Sequence, residues 1–242
     1  MFKVIVKDTY EEMSREAFKV MKAVLDEKKD AVLGLATGST PVGLYKEMIR
    51  DHEENGTSYK DVITFNLDEY VGLPIDHRES YYTFMHVNLF NGIDCPEDHI
   101  HVPYGAGTDP VADAAAYEAE IKKHDVDIQL LGIGSDGHIA FNEPGTPFDS
   151  ETHVAELAQS TIDDNARFFD GDKSQVPTKA VTQGLATIMR AKKILILANG
   201  ANKADAVYGM LKGEKTADCP ASILQDHPDV VVILDKAAAA KI

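Results

Sequence analysis

The feature that most constrains this chain is a repeated pair of patterns: a short, dense apolar run, then a longer stretch with apolar residues at helical spacing. Residues 2–6 read as a strand and 10–27 as an amphipathic helix. Strands are predicted at 31–36, 62–67, 126–133, 193–198 and 230–234, and helices at about 41–52, 80–90, 111–124 and 202–212. Strands that are apolar throughout, rather than on alternate residues, are buried on both faces, and helices between them act as crossovers. The expected fold is therefore α/β, a doubly wound, mostly parallel sheet with helices on both faces, in a single domain spanning 1–242. No internal repeat, low-complexity block or Pro/Gly/Ser-rich linker breaks the series, and 237–242 reads as a short helical or frayed tail.

Apolar residues make up 44% of the chain, enough for a sizeable core. The 24 basic and 40 acidic side chains leave a net charge of −16, which repels nucleic-acid phosphates and anionic lipid at long range. An anionic small molecule is compatible with this charge if a specific site captures it. Cys95 and Cys219 match neither a disulfide framework nor a zinc-ligand spacing, as in a reducing compartment. No secretory leader precedes the first strand, and no apolar run approaches the roughly 18 residues of a membrane span. A cytoplasmic protein with no membrane or nucleic-acid partner is expected.

In open parallel sheets ligands bind at the carboxyl ends of the strands, near the point where strand order reverses. Four predicted strand ends carry unusual polar residues. The first runs into Thr37-Gly38-Ser39-Thr40-Pro41 at a helix start, where small residues let the backbone approach an anion and the helix dipole favours it. Ser39 or Thr40 is placed to cap that helix, with Pro41 in its first turn. A well-capped helix alone also accounts for the pattern, but the Gly-Lys-Ser/Thr ending of a triphosphate loop is absent, so a monophosphate fits better. The second ends in Asp68-Glu69, ordinarily a solvated acid pair. The apolar approach FNL allows one carboxylate to sit on a pocket floor, where burial would raise its pKa.

The third end is the most informative, GIGSDGHIAFNEPG at 132–145. Its glycines match GxGxxG, but Pro144 and Gly145 leave no room for the long helix a dinucleotide site needs, and Ser135 does not sit in a GxSxG elbow. What remains is His138 between Asp136 and Glu143, acids that can fix its tautomer and raise its basicity. The fourth end places Lys203 in the first turn of a helix, unfavourable unless an anion offsets the dipole. Arg167, within DDNARFF, is the second candidate cation; for each alone a solvated surface charge is the more common reading. His99 and His101 share one face of an extended segment but lack a third ligand at sensible spacing, so no metal and no cofactor are expected.

Taken together, LGLATGSTPVGLY (33–45), FNLDEYVGLP (65–74), ESYYTFM (79–85), GIGSDGHIAFNEPG, NARFF (165–169), 176–184 and GANKA (200–204) resemble the glucosamine-6-phosphate deaminases, in order and over nearly the whole chain. The resemblance implies a Rossmann-like sheet and conversion of glucosamine 6-phosphate and water to fructose 6-phosphate and ammonium. It implies Asp68 as the enolisation base, His138 with Asp136 and Glu143 as a ring-opening relay, and Thr37, Gly38, Ser39, Thr40, Arg167 and Lys203 as phosphate ligands. Relatives activated by N-acetylglucosamine 6-phosphate carry basic residues after the EPG segment and a longer tail. Here 146–155 has no Arg or Lys, so a monomer or small homo-oligomer without that activation is expected. The alternatives are a 6-phosphogluconolactonase, which needs no enolisation base, and a non-catalytic sugar-phosphate sensor, which usually carries a DNA-binding module that this chain has no length for.

Overall fold

The fold is described from a computed structural model over residues Phe2 to Ile242. In chain order the elements are β1 (Phe2–Lys7), α1 (Tyr10–Glu27), β2 (Val32–Leu35), α2 (Val42–Asn55), β3 (Ile63–Asn66), β4 (Asp68–Tyr70) and α3 (Tyr81–Asn88). There follow β5 (Ile100–His101), α4 (Pro110–Ile121), β6 (Ile128–Leu131), β7 (His153–Glu156), α5 (Gln159–Asn165), β8 (Lys179–Thr182), α6 (Leu185–Met189), β9 (Ile194–Ala198), α7 (Ala204–Lys212) and β10 (Val230–Asp235).

Seven strands form one sheet in the order β1-β10-β9-β6-β2-β3-β5, and every pairing in it is parallel. Every residue of β2, β6 and β9 is buried. Successive strand residues point to opposite faces, so both faces of the sheet are covered, as the continuous apolar runs predict. From β2 the chain steps outward to β3 and β5, then returns to β6 on the other side and continues to β9 and β10. The strand order therefore reverses between β2 and β6, and a crevice opens above their carboxyl ends.

Local chemistry accounts for the elements flanking that crevice. In α1, Thr9 caps the N-terminus by accepting from the Glu12 N–H at 3.2 Å, and Met13, Ala17, Met21 and Leu25 form a buried stripe at four-residue spacing. Gly34 of β2 faces Gln129 of β6, whose buried amide lies across the strand; a Cβ at Gly34 would stand 2.0 Å from its Oε1. The tail is not frayed: Ala238 is fully buried and its N–H donates to Asp235 at 2.7 Å. No described helix is long and apolar enough to cross a membrane.

A second, antiparallel sheet, β4-β8-β7, was not anticipated from the sequence. Its register pairs Asp68 with Thr182 and Tyr70 with Ala180, and β8 in turn with β7. A small apolar cluster of Tyr70, Phe141, Leu157, Phe169, Val176 and Ala180 lies against it, apart from the main core. One buried carboxylate ties this sheet to the body. Glu118 of α4 accepts from the N–H and hydroxyl of Thr152, before β7, at 3.1 and 2.5 Å. It also accepts from Thr187 and Arg190 at 2.8 and 2.7 Å. Those donors outweigh the burial and lower its pKa to about 2.

Glu118→Ala leaves these donors unmatched and is expected to cost about 2–4 kcal/mol at neutral pH. Because the folded pKa lies below the unfolded one, the stabilisation is complete above about pH 5 and fades as pH falls from 4.5 towards about 2. Thermal unfolding of wild type and variant across that range should converge at the acid end; a constant gap would assign the loss to packing instead.

Candidate active site

A pocket of about 470 Å³ occupies the crevice between the ends of β2, β6 and β9 and the start of β4. Thr37, Gly38, Ser39, Thr40, Asp68, His138, Arg167 and Lys203 all line it. Asp136 and Glu143 stand behind His138. The structure thus brings together in one concavity side chains drawn from four strand ends and one intervening segment.

The turn after β2 is shaped by Gly38, whose φ of 94° is a left-handed conformation that side chains disfavour. Tyr10 of α1 pins the turn from below. Its hydroxyl lies 3.0 Å from the carbonyls of both Ser39 and Thr40 and accepts from the Gly43 N–H at 2.8 Å. Neither Ser39 nor Thr40 caps α2, contrary to the expected capping. The Thr40 hydroxyl instead donates to Asn199 at the end of β9, 2.8 Å away, and Pro41 already has helical φ and ψ. A tertiary partner across the switch point replaces the local cap and joins the first strand end to the fourth.

Asp68 sits where the chain leaves β3 for β4. It is 6% exposed, no protein donor among the described residues holds its carboxylate, and burial lifts its pKa to about 8, with the adjacent Glu69 charge adding to the rise. Glu69 points away and accepts from the N–H groups of Tyr70, Tyr81 and Tyr82 at 2.8, 3.0 and 3.0 Å, fixing the start of α3. The acid pair is therefore divided: one carboxylate faces the pocket and the other caps a helix.

The glycine-rich turn after β6 folds back so that the Gly134 N–H donates to the His138 carbonyl at 2.8 Å. A Cβ at Gly134 would lie 2.3 Å from the imidazole, so glycine is required for the ring to pack there. Ala140 takes a left-handed φ of 53° next to this ring. His138 Nδ1 stands 2.8 Å from Asp136 Oδ1 and 3.6 Å from Glu143 Oε2. The contact with His138 holds Asp136 down at about 2. Glu143 turns its other oxygen to α5, accepting from the Ala158 N–H at 3.2 Å and the Thr161 hydroxyl at 2.6 Å. Donor atoms of the three side chains lie within 4.8 Å of one another, a grouping whose chemistry suits either a proton relay or a cation.

Lys203, half-buried, also lines the pocket and has its pKa lowered by burial, and Arg167 stacks over Phe168 at 4.7 Å. Neither pairs with a carboxylate at salt-bridge distance among the described residues. Two exposed or half-buried cations without partners in the lining of an acidic protein's pocket form a candidate anion site.

Several lining residues carried no individual signal in the sequence. Tyr70 and Tyr81 wall the pocket with ring centroids 4.8 Å apart, and the Tyr70 hydroxyl accepts from Asn165 of α5 at 2.8 Å. Asp164 lines the same wall. The stretches FNLDEYVGLP, ESYYTFM and DDNARFF contained them, without a role for these side chains.

Comparison with known proteins places this geometry. The model of the family described as glucosamine-6-phosphate isomerases/6-phosphogluconolactonase matches residues 6–233. A glucosamine-6-phosphate deaminase of Thermoanaerobacter pseudethanolicus is 48% identical over 241 residues, covering 99% of this chain and 95% of that one. Glucosamine-6-phosphate deaminase 2 of Bacillus subtilis is 48% identical over 242 residues, covering 99% and 97%. A solved monomeric glucosamine-6-phosphate deaminase superposes with a TM-score of 0.97 at 45% identity, covering 99% of this chain and all of that one. A 6-phosphogluconolactonase from Trypanosoma cruzi reaches 0.81 at 26%, covering 100% and 97%. The chain belongs to the glucosamine-6-phosphate isomerase/6-phosphogluconolactonase family.

Proposed function

We propose that the chain is a glucosamine-6-phosphate deaminase, releasing fructose 6-phosphate and ammonium from glucosamine 6-phosphate and water. The observation that carries this reading is the pairing of two acid–base centres in one pocket, a buried carboxylate with a raised pKa and an imidazole backed by two carboxylates. Lactone hydrolysis calls for a single activated water, whereas an aminosugar must first be opened and then enolised.

His138 moves a proton to the ring oxygen as the anomeric hydroxyl loses one, giving the open aldehyde; Asp136 and Glu143 hold its imidazole in orientation. Asp68 then removes the C2 proton to give an enolamine and returns a proton to C1. The resulting imine at C2 takes up water and expels ammonia, which leaves as ammonium. The substrate's own nitrogen supplies the electron-withdrawing imine, so the sequence of steps balances with no redox partner. Thr37, Gly38, Ser39, Thr40, Arg167 and Lys203 hold the phosphate and place C2 over Asp68. A one-domain, monomeric or small homo-oligomeric cytoplasmic enzyme without activation by the acetylated sugar phosphate completes the reading.

Purified protein given glucosamine 6-phosphate should release ammonium and fructose 6-phosphate in equal amounts. Hydrolysis of 6-phosphogluconolactone in its place would move the reading to the sister activity, and binding without turnover would favour a sensor. Asp68→Asn should bind the sugar phosphate nearly normally and lose about 10²–10⁴ in turnover. Since the base acts ionised, wild-type kcat/KM should rise with pH towards about 8, and the variant should lack that limb. Unchanged turnover would remove Asp68 from enolisation. Lys203→Ala should act differently, raising KM about tenfold or more with a smaller change in kcat. An unchanged KM would take Lys203 out of the phosphate site.

A further inference from the structure

Outside the residues assigned above, one charged side chain faces the anion end of the pocket without a partner. Asp164 lies in α5, which continues through a 3₁₀ turn at Ala166–Phe168. Its position three residues before Arg167 sets the two side by side on one helical surface, and both line the pocket together with Lys203. Its neighbour Asp163 makes an instructive contrast. Asp163 accepts from Gln159 at 2.8 Å and pairs with Lys173 at 2.8 Å. Asp164 has no hydrogen bond or salt bridge among the described residues, while Glu79, another lining carboxylate, is neutralised by Arg78 at 3.3 Å. Asp164 is also the foremost negative neighbour of the Lys203 ammonium, ahead of Asp136.

We propose that Asp164 is an affinity-limiting carboxylate of the phosphate site, opposing dianionic ligands beside Arg167 and Lys203. The inference rests on the reading of that end of the pocket as a phosphate site. Two cations facing a phosphate dianion would balance its charge; the third, negative group leaves the occupied site with one excess negative charge. Substrate and product of the proposed reaction carry the same phosphate, so tighter holding would stabilise both alike. Such uniform binding lowers KM without speeding the chemical step, and it retains product. A carboxylate at this position caps the affinity for substrate, product and free phosphate together, while the cations preserve selectivity for anions.

The test measures binding of inorganic phosphate at pH 8, by titration and as a competitive inhibitor, together with the KM for glucosamine 6-phosphate. Asp164→Asn should tighten phosphate binding and lower KM by about three- to tenfold, the size expected of one like charge in a half-solvated pocket. The gain should shrink in about 0.5 M salt, where the Debye length falls to a few ångströms. Asp163→Asn, the control, should change neither constant. Structural damage weakens binding, so a gain in affinity is a readout that damage does not produce. Unchanged or weakened binding in Asp164→Asn, or an equal gain in Asp163→Asn, overturns the proposal. Lys203→Ala separates the two levels. If it weakens phosphate binding while Asp164→Asn does nothing, only this inference falls. If phosphate binds neither the unaltered protein nor the variants, the phosphate reading falls with it.

Discussion

The site depends on a one-residue joint. Leu67 donates its N–H to the Leu35 carbonyl of β2 at 3.1 Å and accepts from the Gln183 N–H at 2.8 Å, so one peptide unit closes the parallel sheet and the next opens the antiparallel one. The side chain of Leu67 belongs to the main core, while Tyr70, three residues on, belongs to the small one. Asp68 is held between them. A carboxylate there is largely withdrawn from water and lies beside the Glu69 charge, which is the physical origin of its raised pKa.

The same seam separates the site's acids into two electrostatic classes. Asp68 is surrounded by apolar walls and Glu69, and holds its proton to about pH 8; Asp136, against His138, gives its proton up near pH 2. Environments that drive like groups apart in this way let one fold supply a base and a permanent counter-ion within one cavity. Glu143 adds a mechanical link. One of its oxygens faces His138 and the other holds the start of α5, the segment that carries Asn165 and leads into Arg167. Asn165 closes the loop by donating to Tyr70, two residues along β4 from Asp68. His138, the segment leading to Arg167 and the strand bearing Asp68 are thus joined through α5 by a contiguous set of contacts.

What the sequence made legible follows from how each element is stabilised. The parallel strands were readable because burial on both faces forces a continuous apolar run, as in ILILA of β9 and VVVILD of β10. Helix α1 was readable to its ends because its cap and its apolar stripe lie within its own residues. The antiparallel strands, KAVT and HVAE, are four residues long and mix charge with small apolar side chains, so they depend on pairing and packing with segments distant in the chain. The same reason explains the cap: Thr40 has a local role available and takes a partner 159 residues away. At the site, strand ends marked by glycine and charge were visible. The wall formed by Tyr70 and Tyr81 was not, since it is assembled by tertiary contacts between segments distant in the chain. The pocket gathers the strand-end residues as the topology requires.

Burial of Asp68 also sets a conflict between activity and stability. Its folded pKa lies above its unfolded value of 3.8, so below that pH its burial carries no ionic penalty; from there to about pH 8 the folded state is progressively disfavoured. Glu118 contributes with the opposite sign, gaining its full stabilising effect as pH rises above 4.5. The two groups flank one structure: Glu118 anchors the strand beside Thr152 that pairs with β8, and β8 pairs residue for residue with the strand bearing Asp68. Near neutrality the second sheet is thus held by one carboxylate while it confines another at a cost. Relieving that cost by opening the seam would return the Asp68 pKa to the usual carboxylate range. The destabilisation is inseparable from the raised pKa, because both are the same free energy of taking one charge out of water.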